Sequence, residues 1–242
     1  MSEFSVSMKL DNLKEKLDNV SIFKLSLPDK VICERFQKLY TGAVNDVLRE
    51  ATLMDQALPC TIMPLKLEMK CCGVAFTIRS NPDPTVEGEM DIRADMLDAM
   101  PEGCMVVWDA GDEAEASHWG EVMTASAIAR GARGVVLNGG LRDTMQVLDQ
   151  NFPVFYRYRT SNGSLGRTKI TSYNKPLRID KAYIKPGDFI FGDVDGVIAI
   201  PRNIAEKVLT RAEEIRIGEK EIRSWVKEGF SAKNIVKDGG YF

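Results

Sequence analysis

Apolar residues recur at helical steps toward both ends of the chain and fall in short dense runs between them. Leu10, Leu13, Leu17 and Val20 carry one three- and four-residue stripe, and Pro28 opens a second through Val31, Ile32, Phe36 and Leu39. Together they predict a helical extension over residues 1–40 in front of the main fold. Ala43, Val44, Val47 and Leu48 continue the spacing until PCTIMPL breaks it. GVAFTIRS (73–80) and CMVVWDA (104–110) are rich in β-branched and apolar residues and read as strands. The NPDP loop and a helix near 87–100 separate them. Val122, Ala125 and Ala129 predict a helix between Trp119 and Gly131, ended by glycine. VVLNGG then reads as a strand and RDTMQVLDQ as the next helix. Asp109 and Asn138 close two apolar strands in the same way, which would bring neighbouring loops to one edge.

From Pro153 to Pro201 turn residues break the chain into short strands, as in a β-rich half, with GDVDGV (192–197) as a hairpin turn. The EF-hand alternative for that stretch fails, because Arg202 stands where the loop needs a glutamate and strands flank it. A long helix over 203–229 follows, opened by an expected capping box between Asn203 and Glu206. At about 40 Å, by 1.5 Å per residue, it would reach beyond its own protomer. No linker interrupts the pattern, so residues 41–242 are expected to form one α/β domain that includes this helix.

The chain has 242 residues, 44% of them hydrophobic, enough for a substantial core. No stretch approaches the ~18 apolar residues of a membrane span, and the opening segment lacks the order of a secretory signal. A cytoplasmic protein without a membrane partner is the expectation. Net charge is −3, from 32 Lys and Arg against 35 Asp and Glu, and the basic residues are scattered apart from a loose group at Arg157, Arg159, Arg167 and Lys169. Nucleic acid is therefore a poor partner, since phosphate binding needs a concentrated positive face. Cys33, Cys60, Cys71, Cys72 and Cys104 are odd in number and show no C-x-x-C spacing, so they read as reduced and mostly core residues.

Within GVVLNGGLRDTMQV (134–147), two glycines precede Arg142 and Asp143 at a helix start. A favourable helix-dipole charge with a surface partner explains such a pair without any function. Glu121 adds a second reading. Twenty residues separate it from Arg142, so one helix and one strand could return the chain to the same edge. Two carboxylates with waters suit a hard cation such as Mg²⁺, and a guanidinium suits a carboxylate or enolate. The glycines would then allow close backbone approach by a bound anion. His118, the single histidine, reads as a packing residue in preference to a general base, and its solitude excludes a His-rich zinc site. Lys169, Lys175, Lys181 and Lys185 carry no mark of Schiff-base chemistry.

Three stretches in order, WGEVMTASAIARGARGVVLNGGLRD, FPVFYRYRT and KPGDFIFGDVDGVIAIP with the Glu-rich helix behind it, resemble the RraA-like group over about residues 41–230. That group includes the 4-hydroxy-4-methyl-2-oxoglutarate (and 4-carboxy-4-hydroxy-2-oxoadipate) aldolases and regulators of ribonuclease E activity. The resemblance implies a swivelling β/β/α domain assembled as homotrimers or homohexamers. It implies that Asp143 ligates a divalent metal, Mg²⁺, Mn²⁺ or another, and that Glu121 acts on it through water. Arg142 and the backbone amides of Val122 and Met123, beside Gly120, would hold pyruvate. Glu219 on the C-terminal helix of a neighbouring subunit would complete the site. The implied activity is metal-dependent release of pyruvate from a 4-hydroxy-2-oxo acid, with oxaloacetate decarboxylation at the same site. A non-enzymatic regulator of ribonuclease activity, acting by protein–protein binding, is the alternative. Gln146 and Asn138 depart from the acidic residues common in that group.

Overall fold

The computed structural model describes residues 23–240, so the stripe at Leu10, Leu13, Leu17 and Val20 lies outside the described residues. Two helices come first, α1 (Asp29–Phe36) and α2 (Thr41–Glu50). Their apolar stripes decide what they bury. Ile32, Phe36, Ala43, Val44 and Leu48 pack with Val208, Leu209, Ala212 and Ile215 against Phe189, Phe191, Ile198 and Ile200. The segment from Asp29 to Tyr40 therefore shares one core with the sheet instead of standing in front of it.

The sheet strands are β1 (Met63–Pro64), β2 (Cys71–Pro82), β3 (Cys104–Asp109), β4 (Ser117–Trp119), β5 (Gly134–Leu141), β6 (Val154–Arg159), β7 (Thr168–Tyr173), β10 (Phe189–Asp193) and β11 (Gly196–Ile200). Their order is β1-β6-β5-β3-β2-β10-β11, with β4 added on β5 and β7 on β2. The middle strands β6, β5, β3 and β2 run parallel, and β10–β11 is the hairpin that GDVDGV predicts. A bridge from Ala57 to Ile198 brings the two ends of the sheet together as a nearly closed barrel. Along β3, Val106 and Trp108 face one cluster while Met105 and Val107 face another, the period of two expected of a strand buried on both sides. The inner cluster is capped by a small hairpin, β8 (Leu177–Ile179) and β9 (Ala182–Ile184).

Three helices cover the outer face of β2, β3 and β5: α3 (Glu89–Asp98), α4 (Glu121–Ala129) and α5 (Thr144–Asp149). The long helix α6 (Ala205–Lys227) follows a 3₁₀ turn at Arg202–Ile204, and α7 (Ala232–Lys237) closes the described chain. The capping box expected at Asn203 and Glu206 does not form. Asn203 lies inside the 3₁₀ turn, and the Glu206 carboxylate instead accepts from Leu27 N at 2.8 Å and from the Ser26 hydroxyl. All five cysteines are free; Cys60 is exposed and the other four are buried. Burial pushes the thiols of Cys71 and Cys104 up to about 12, which fits inert packing residues. No helix among the described residues is long and apolar enough to cross a membrane.

Candidate functional site

The site forms where β4 lies against the C-terminal end of β5. Arg142 N donates to Trp119 O at 3.0 Å, so the strand-end residues Arg142 and Asp143 sit beside the turn that opens α4. That turn is pinned from within. Trp119 Nε1 donates to Thr124 Oγ1 at 2.8 Å, and the same hydroxyl donates to Gly120 O at 2.9 Å. The two glycines of β5 serve this packing. A Cβ on Gly140 would strike the Ala116 carbonyl and stand 2.7 Å from Tyr158, and one on Gly139 would lie 2.9 Å from Ala110 Cβ and His118 Nδ1. They make room for β4 and His118, not for a ligand as the sequence led us to expect. The pairing of β5 with β6 shifts register at this point, a local irregularity of the kind that re-aims side chains.

Helix α5 begins at Thr144 and not at Arg142, because Asp143 adopts a left-handed conformation with φ of 52°. That conformation costs an L-residue about 1 kcal/mol or more, and aspartate is among those that tolerate it. The Asp143 Oδ2 atom stands 3.3 Å from Glu121 N and 3.5 Å from Arg142 Nε, both long contacts. Gly120 leaves the carboxylate its space, since a Cβ there would overlap Oδ2.

A cavity of about 400 Å³ opens beside this turn, and Gly120, Val122, Met123, Arg142 and Asp143 all line it. Glu121 heads α4 next to them, exposed and outside the lining, with only its backbone touching Asp143. Glu219 lies on α6, paired with Arg223 at 3.4 Å, and is not brought to the cavity by its own chain. None of the four lysines considered above reaches it. His118 does line the cavity, 1% exposed, its ring 5.9 Å from Trp108. Among the described residues neither ring nitrogen makes a well-aligned hydrogen bond, although the Ala116 backbone favours the protonated ring. Burial, with Arg93 adding to it and Glu113 opposing, pushes its pKa down to about 4, so the ring is neutral.

Arg93 and Ser164 are cavity residues that the sequence reading missed. Arg93 rises from α3 with its guanidinium 5.5 Å over the Trp108 ring. Its Nη2 donates to Glu89 Oε1 at 2.6 Å and to Ser164 Oγ at 3.1 Å, while Nη1 meets only Met123 Sδ at 3.4 Å. Glu89 is fully buried and its other oxygen accepts from Ile170 N at 3.0 Å.

The donor set bears on which metal fits. Among the described residues no group of three or more His, Cys, Asp or Glu could hold an ion. One carboxylate with room around it, completed by water and substrate oxygens, is the habit of Mg²⁺. Asp143, cleared by Gly120, meets that description. The two departures from the resembled pattern lie elsewhere. Asn138 Nδ2 donates to Asp109 Oδ1 at 2.9 Å, where an aspartate would place two carboxylates together. Gln146 is exposed and outside the cavity lining.

A family model, Aldolase/RraA of the RraA-like group, matches residues 41–199. A protein of Halalkalibacterium halodurans named "putative 4-hydroxy-4-methyl-2-oxoglutarate aldolase" is 31% identical over 181 residues, covering 74% of this chain and 81% of its own. Protein DlpA of Legionella pneumophila is 29% identical over 185 residues, 75% of this chain; the match spans only 29% of the length of DlpA. A solved structure described as novel cellulases from microbes associated with the gut ecosystem has a TM-score of 0.85 and 48% identity, over 88% of this chain and 96% of that one.

Proposed function

The chain belongs to the RraA-like (Aldolase/RraA) family, and we propose that it is a divalent-metal-dependent lyase that cleaves a 4-hydroxy-2-oxo acid to release pyruvate. The observation that carries this reading is the meeting of Asp143, Arg142 and the first-turn amides of α4 at one small cavity. The amides of Val122 and Met123 are among the first-turn donors of α4 that lack an intrahelical acceptor. With the Arg142 guanidinium they would hold the carboxylate and 2-oxo oxygen of the substrate. Asp143 would hold the divalent metal, which when bound would supply positive charge to stabilise the developing enolate.

Glu121, and Glu219 delivered from a neighbouring subunit, orient the water that takes the 4-hydroxyl proton. The C3–C4 bond then breaks, its electron pair passes into the enolate of pyruvate, and the C4 fragment leaves as a carbonyl compound. Arg142 lies against the charge that develops, and C3 is protonated last. Oxaloacetate reaches the same enolate by losing CO₂, so decarboxylation follows from the same residues. Hydrolysis of a glycosidic bond, as the 48%-identical structure's description would imply, calls for two carboxyl groups facing each other across it. Arg142 and the first-turn residues Val122 and Met123 beside Asp143 suit a substrate carboxylate, which favours the oxo-acid reading.

The test is pyruvate release from oxaloacetate and 4-hydroxy-4-methyl-2-oxoglutarate, with Mg²⁺ and with EDTA. Release should require the metal, and Arg142→Ala should lower kcat/KM roughly a hundredfold, the ~3 kcal/mol typical of one lost electrostatic donor. Metal-independent turnover, or unchanged turnover in that variant, counts against the assignment. No release from any 2-oxo acid would favour the protein-binding alternative.

A further inference from the structure

Arg93 has the surroundings of an arginine held ready for a ligand. It stands at the cavity wall with a buried carboxylate behind it, an aromatic ring beneath it and one face of its guanidinium committed to nothing stronger than a thioether. Glu89 fixes its orientation and balances its charge, but Glu89 does not line the cavity, so the charges lining it are Arg93, Arg142 and Asp143. The two arginines also lie beside consecutive residues. A Cβ on Gly163 would lie 3.1 Å from Arg142 Nη1, while Ser164 Oγ is 3.1 Å from Arg93 Nη2. Both guanidinium groups therefore reach the same cavity beside one short segment of chain, Gly163–Ser164.

We infer that Arg93 and Ser164 form a second anion subsite, which takes the distal carboxylate of the substrate while Arg142 holds the 2-oxo end. This rests on reading the cavity as a 2-oxo acid site, and it assigns the choice between dicarboxylic and monocarboxylic acids to these two residues. Met90, Leu97 and Leu165, also in the lining, keep the intervening space apolar, where a charge-assisted hydrogen bond counts for more than it does in water. A purely structural Arg93, tying α3 to the Ser164 loop, would show no such selectivity.

Calorimetric titration of the full chain with 2-oxoglutarate and with 2-oxobutyrate, both in Mg²⁺, separates the two roles. The wild type should bind the dicarboxylate at least tenfold more tightly. Arg93→Lys and Ser164→Ala should each cut 2-oxoglutarate affinity, the former by roughly ten- to a hundredfold, and leave 2-oxobutyrate within about threefold. Because a neutral residue at 93 would strand the buried Glu89, the charge-free variant is the pair Glu89→Gln with Arg93→Met, which should bind the two acids alike. Equal wild-type affinities, no binding of 2-oxoglutarate, or parallel loss of both acids in the variants would overturn the subsite. Pyruvate release is assayed separately, so a protein that discriminates the two acids yet turns over neither keeps the subsite and loses the lyase reading.

Discussion

Gly120 is the residue on which the carboxylate of Asp143 depends. A methyl group there would collide with the free end of a half-exposed side chain, which can swing away at little cost. Gly120→Ala should therefore leave thermal stability within about 1 kcal/mol while moving the carboxylate off its position. The expected outcome is a loss of at least tenfold in Mn²⁺ affinity, read by electron paramagnetic resonance, with activity falling alongside; intact Mn²⁺ binding would contradict the role given to Asp143. His118 sets a pH limit on the fold. Burial holds its pKa at about 4 in the folded chain, against the ordinary 6.5 of an exposed histidine. Between those values the unfolded chain binds one more proton, so stability falls as the pH drops from 6.5 to 4 and the effect is complete below 4. The sum is about 3 kcal/mol. Denaturant titrations across that range should show the decline in the wild type and a flatter profile in His118→Gln. Arg142 and Asp143 could be picked out in sequence because Glu121 stands a fixed distance before them. Arg93 could not, because Glu89 and Arg93 at an i, i+4 spacing look like an ordinary exposed helix pair. Its burial comes from Trp108 and the β7 edge, elements distant in the chain.

At the scale of elements, the strands β2, β3 and β5 were legible because each is buried on both faces and so reads as a dense apolar run. Helix starts were less so. Asn203 and Glu206 have the spacing of a capping box, yet the segment at Ser26 and Leu27 offers Glu206 better donors, and α6 begins two residues late. The start of α5 was displaced in the same sense, by the left-handed turn at Asp143. Helix α6 itself is two-sided along its length. Its buried residues, Ala205, Val208, Leu209, Ala212 and Ile215, all lie in its first half, while Ile217 and Val226 in its second half, and Phe230 and Val236 after its end, are exposed. The second half contributes little to its own protomer, and if the protein assembles as proposed, these exposed apolar residues are the surface available for contact with a neighbouring subunit. Truncation after Gly218 should thus keep the unfolding midpoint within about 4 °C, or ~1 kcal/mol, of the full chain. It should also shift the protein to monomer in light scattering and abolish pyruvate release. Retention of the full oligomer would show that assembly uses another face.

For the whole molecule, the nearly closed barrel sets Arg142 and Asp143 at one rim, while α6 packs on α1 and α2 through its first half. No sequence pattern indicated the closure, because the bridge between Ala57 and Ile198 pairs residues far apart in the chain and outside any alternating run. Nor does one chain deliver Glu219 to its own cavity. If each site draws Arg142 from one subunit and Glu219 from the next, two inactive variants can repair each other. Arg142→Ala and Glu219→Ala homo-oligomers should each be nearly inactive. After joint unfolding and refolding at equal amounts, about a quarter of sites would combine an intact Arg142 with an intact Glu219 in a closed, head-to-tail ring. Activity should then return to roughly a quarter of the wild-type value, whereas simple mixing without subunit exchange should restore none. Failure to recover any activity after co-refolding, with mixed oligomers verified by mass spectrometry, would place Glu219 outside the site. The base would then have to be sought among residues near Asp143 itself, with Glu121 the first to replace.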